Sequence, residues 1–92
     1  MNPVSFNAPT KTLFFVPDFF KAKKKGRAVT WRKGIRSGAR IRKGTILGDI
    51  FWNDGDDDVI RSPVAGTILK TNGRIRNAQL QRSPPQFALV LK

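Results

Sequence analysis

The chain contains no cysteine, no histidine, no tyrosine and no glutamate. Without cysteine there are no disulfides and no thiolate chemistry, and the redox compartment is left open. Without histidine and cysteine, the commonest general base, the thiol nucleophile and the usual zinc ligands are all missing. Serine and threonine have no imidazole to activate them, so a Ser-Lys arrangement is the formal remnant of a nucleophilic enzyme. No apolar run approaches the roughly 20 residues of a membrane span. Met1 to Ala8 lack the charged and apolar regions of a secretory signal, which makes a cytoplasmic location the default expectation. The expected protein is therefore not an enzyme and carries no cofactor or metal.

Acid is scarce and base abundant. The 92 residues include 18 Lys and Arg against 6 Asp, a formal charge of +12. From Lys21 to Lys43 there are eleven basic residues and no acid, whereas Asp49 to Asp58 hold five of the six acids and no base. Such segregation polarises the molecule and attracts polyanions: nucleic acid, an acidic protein surface or an anionic membrane. The plain alternative is charge that keeps a small β domain soluble.

Glycine punctuates the chain from Gly26 onward, separating short runs rich in β-branched and aromatic residues. These are Ala28-Val-Thr-Trp31, Thr45-Ile-Leu47, Ile50-Phe-Trp52, Val59-Ile60, Thr67-Ile-Leu69 and Phe87-Ala-Leu-Val-Leu91. Short strands at close spacing predict an all-β barrel or sandwich. Asp54-Gly55 is a hairpin dipeptide. Ahead of them, Met1 to Thr10 reads as irregular, Thr12 to Val16 as a strand stopped by Pro17, and Asp18 to Gly26 as one helical turn or a loop. Residues 1–25 are expected as an N-terminal extension and 26–92 as the β domain.

One unit occurs twice. Gly38-Ala-Arg-Ile-Arg-Lys-Gly-Thr-Ile-Leu47 is echoed by Gly73-Arg-Ile-Arg-Asn-Ala-Gln-Leu80, with Ser62-Pro-Val-Ala-Gly66 between them. Period-two alternation turns Arg40, Arg42, Arg74 and Arg76 outward when Ile41 and Ile75 face the core. Trp31, Gly38, Ile41-Arg-Lys-Gly44, Leu47, Ile60-Arg-Ser-Pro-Val-Ala-Gly66 and Asn72 to Leu80 together resemble the biotinyl/lipoyl-carrier pattern over about residues 26–92. The resemblance implies a barrel-sandwich hybrid of two quasi-symmetric halves. Carriers hold the modified lysine at a hairpin tip; here that tip reads Phe51-Trp-Asn-Asp-Gly-Asp-Asp-Asp58, with no lysine to form the amide. Arg74 and Ala78 also stand where the family has Asp and Gly. The resemblance therefore points to a scaffold and not to a swinging arm.

Candidate contacts follow from charge and aromaticity. Lys21, Lys23, Lys24, Lys25 and Arg27 lie beside Phe19 and Phe20, a pattern for phosphate contact with stacked bases or for a membrane interface. With Arg40, Arg42, Arg74 and Arg76 they form the expected face for nucleic acid or an acidic protein partner. No motif for sequence-specific reading is present. Trp52, Asp54, Asp56, Asp57 and Asp58 are the expected hairpin-tip interface, with Trp52 as exposed anchor or core cover, and with docking of the acidic tip onto the basic face of a second copy. The aspartates begin like a calcium loop but lack its glycine and its closing glutamate, which falls on Ala65, so a solvated turn is the favoured reading. The alternatives are a structural subunit using Phe14, Phe15, Phe19 and Phe20 as an interface, or a degenerate carrier-type domain accessory to an enzyme.

Overall fold

The computed structural model describes residues 2–21, 26–52, 55, 57–73 and 86–92. These form β1 (Val4–Asn7), β2 (Thr12–Phe15), a one-turn helix α1 (Pro17–Lys21), β3 (Gly26–Trp31), β4 (Arg40–Ile41), β5 (Ile46–Trp52), β6 (Asp57–Arg61), β7 (Gly66–Thr71) and β8 (Phe87–Leu91). The strands make two antiparallel sheets, a five-stranded one in the order β1-β2-β8-β7-β4 and a three-stranded one in the order β3-β5-β6. The fold is all-β and barrel-like, as the spacing of runs and glycines predicts.

The core lies where the two sheets face each other. Leu13, Phe15, Ile68 and Leu89 come from the larger sheet and Leu47, Ile50 and Ile60 from the smaller, all fully buried. Alternation explains most of this, and bulges explain the exceptions. In β5 the register slips between Ile46 and Gly48. Leu47, the extra residue of the bulge, is buried, and Ile50 and Trp52 are buried beyond it. Glycine is needed there, because a Cβ at position 48 would sit 2.5 Å from the Thr30 carbonyl oxygen.

The N-terminal residues are stitched into this core. Val4-Ser-Phe-Asn7, expected to be irregular, forms β1, because the free edge of β2 offers it a ladder from Val4↔Phe15 to Asn7↔Thr12. β2 in turn pairs with β8. α1 starts at Pro17, whose missing N–H costs nothing at a first helical position. Five residues cannot hold a helix alone; burial of Phe19 and Phe20 holds this one. The Phe20 ring packs edge-on to Phe15 at 5.8 Å and to Phe19 at 5.2 Å, and lies 6.1 Å from Trp52.

Candidate polyanion-binding face

Between β3 and β5 the chain makes three turns of one design. Arg32-Lys33-Gly34-Ile35, Arg36-Ser37-Gly38-Ala39 and Arg42-Lys43-Gly44-Thr45 each start with arginine and place glycine third. In each, the fourth residue's N–H donates to the arginine carbonyl, at 3.1, 3.0 and 3.0 Å. The three glycines have φ of 91°, 90° and 92°. A positive φ at the third position is what a type II turn requires, and glycine adopts it without a Cβ penalty. The second residue of each turn stands at the corner, which sends Lys33 and Lys43 into solvent.

Each turn is tied to the sheets. Arg32 N–H donates to Leu47 O at 2.8 Å. Gly38 N–H donates to Ile68 O and Ile68 N–H to Ala39 O, at 2.7 and 2.8 Å, while Ser37 Oγ donates to Leu69 O at 2.8 Å. Gly44 N–H donates to Ser62 O at 2.7 Å, and Ser62 N–H to Thr45 O at 2.9 Å. Ser62 is buried, and its hydroxyl donates to Val64 O at 2.6 Å, which shapes the Ser-Pro-Val-Ala-Gly turn. Arg61 reaches across, Nη1 donating to Gly44 O at 3.2 Å. Arg42, Lys43 and Arg61 thereby gather at the base of the β5–β6 hairpin, opposite its acidic tip.

The arginine alternation is seen in the first copy of the unit. Ile41 is buried, and Arg40 and Arg42 are exposed on either side of it. Arg40 opposes Thr67 on β7 and so lies on the outer face of the larger sheet. None of the five strands of that sheet contains an acidic residue. The acids of the described strands, Asp49, Asp57 and Asp58, all sit on β5 and β6.

One arginine is already engaged. Arg32 grips Asp49 with two contacts, Nε to Oδ2 at 2.7 Å and Nη2 to Oδ1 at 2.8 Å. Those hydrogen bonds and the Asp49 charge hold the guanidinium above its ordinary pKa. Among the described residues, Lys33, Arg36, Arg40, Arg42 and Lys43 have no side-chain acid partner. They are exposed cations carried on the three hydrogen-bonded turns and on β4 between them.

Several expected contacts fall elsewhere. Lys23, Lys24, Lys25, Arg74, Arg76, Asp54 and Asp56 lie outside the described residues, as do the side chains of Lys21 and Arg27. Trp52 is not an exposed anchor: it is 4% exposed, and its Nε1 donates to Asp58 Oδ2 at 2.7 Å. The bulge at Gly48 turns Trp52 inward and leaves Phe51 outside at 43%. Asp58 thus caps the indole, and Asp57 is the exposed described acid of the tip. Phe15, Phe19 and Phe20 serve the protein's own core and not a partner. Lys33, Arg36 and Lys43 belong to the basic run from Lys21 to Lys43 that the sequence shows; what the run does not show is that they sit on recurring Arg-x-Gly turns.

Fold and face together define a small all-β, barrel-like protein with a cation-bearing turn array. No family model, no curated protein and no solved structure matches the chain.

Proposed function

We propose that this protein is a non-enzymatic binding module that holds the phosphate backbone of nucleic acid on the face built by Arg36, Arg40, Arg42, Lys43 and Lys33. The scaffold is that of a biotinyl/lipoyl-like barrel whose hairpin has lost the acceptor lysine. The observation that carries the reading is the separation of charge: apart from Arg32, the cations of the three stapled turns have no acid partner among the described residues, and the acids of the described strands sit on the β5–β6 hairpin. Phosphate contact needs positive charge and little else, and a rigid turn presents it with less entropy to lose. Five phosphates neutralised on a single strand give a log–log salt slope of about −3.5.

The test is fluorescence anisotropy of a labelled oligonucleotide across a salt series. Replacing Arg40, Arg42 and Lys43 together by alanine is expected to flatten the slope by about 2. An unchanged slope refutes the assignment of the face. Binding to an acidic protein or peptide, with none to any oligonucleotide, refutes nucleic acid as the partner.

A further inference from the structure

The outer face of the larger sheet carries a feature the cationic turns do not account for. On β2, Leu13 and Phe15 are buried, so Phe14 between them faces outward. Its cross-strand partner on β8 is Phe87. The two rings line a groove of about 350 Å³ with Asn7, Thr10 and Thr12. Lys70 on β7 holds its Nζ 5.2 Å from the centre of the Phe87 ring. The same strand receives the 36–39 turn at Ile68 and Leu69, so β7 links the groove on β2 and β8 to the cationic turns.

We infer that this groove is a stacking platform for unpaired bases, and hence that the protein takes single-stranded nucleic acid. The inference rests on the phosphate-binding reading for the backbone contacts and adds the class of strand. Aromatic faces on a sheet stack any base, since every base has a π-face. Lys70 lies over the Phe87 ring, a flexible cation that an incoming base displaces toward the phosphate of the stacked nucleotide. The Asn7 amide offers a donor and an acceptor to base edges, and the Thr10 and Thr12 hydroxyls, which donate to Asn7 O and Thr10 O, offer acceptors. A duplex keeps its bases paired and stacked away from such a surface. Charge singles out this face: its strands hold no acid, whereas the exposed apolar pair Phe51 and Val59 on the smaller sheet lies opposite Asp57 and Asp49 in the β5–β6 ladder.

Three probes decide the matter by anisotropy: a thymidine strand of about 12 nucleotides, an abasic strand with the same phosphates, and a duplex of the same length. The wild-type protein is expected to prefer the thymidine strand over the abasic one by at least about 5-fold. The double variant Phe14→Leu, Phe87→Leu keeps apolar bulk but loses both rings; it is expected to lose that preference with its salt slope intact. Phe51→Leu is expected to keep it. Equal wild-type affinity for thymidine and abasic strands, or tighter binding to the duplex, overturns the platform and leaves the phosphate-binding reading standing. A double variant that retains the full preference overturns the platform too. Absence of binding to all three probes at about 50 mM salt overturns both readings, because electrostatic affinity is strong there.

Discussion

Phe20 is the residue on which the placement of the N-terminal segment turns. It is fully buried and touches Phe15, Phe19 and Trp52, so it joins β2, α1 and β5 in one aromatic cluster. Truncating such a side chain to alanine costs about 3–5 kcal/mol, from lost burial and from the cavity left behind. Each edge-on aromatic contact adds about 0.5–1.5 kcal/mol beyond area. A domain of this length has a total stability of about 5–14 kcal/mol. Phe20→Ala is therefore expected to remove at least about a fifth of it. Urea unfolding followed by tryptophan fluorescence reads this directly, because Trp52 lies 6.1 Å from the mutated ring. Phe51→Ala, on the outer face, is the comparison and is expected to cost under about 1 kcal/mol. A Phe20→Ala midpoint within experimental error of the Phe51→Ala midpoint, at equal m-value, refutes the claim that α1 belongs to the core.

Gly48→Ala is expected to destabilise by about 1–3 kcal/mol in the same urea assay, since its Cβ meets the backbone oxygen of Thr30 at 2.5 Å and β3 must move. A neutral result refutes the close approach of β3 and β5 at the bulge. Trp52→Phe removes the Nε1 donor to Asp58 while keeping an aromatic ring; the expected loss is about 1–2 kcal/mol in the urea assay. A midpoint unchanged from wild type at equal m-value contradicts a role for that hydrogen bond.

The sequence made the β class legible because the glycine-bounded runs are what strands require, and Phe87–Leu91 coincides with β8. Ile41 between Arg40 and Arg42 behaved as simple alternation demands. Alternation failed where a bulge intervened: Thr45–Leu47 and Ile50–Trp52 read as two runs because Gly48 looks like a break, yet Gly48 lies inside a single strand. The slip there decides which of Phe51 and Trp52 is buried, and no local pattern encodes it. β1 was illegible for a different reason. Val4 and Phe6 alternate with polar residues, but four residues between Pro3 and Pro9 are too few to stand out as a strand, and they are paired because β2 presents an edge. The cationic face was half legible: Arg-Ile-Arg drew attention to Arg40 and Arg42, while the bonds from the turns to Ser62, Ile68 and Leu69 bring together residues distant in the chain.

The central claim is that nucleic acid lies on the turn array and the outer face of the larger sheet. Amide chemical-shift mapping on titration with a thymidine oligonucleotide tests it most directly. The expected perturbations cluster at residues 33–44, at Lys70 and along Phe14 and Phe87, with Asp57–Val59 of β6 unmoved. Perturbations confined to the β5–β6 hairpin around Phe51 and Asp57, or none at low salt, contradict the account.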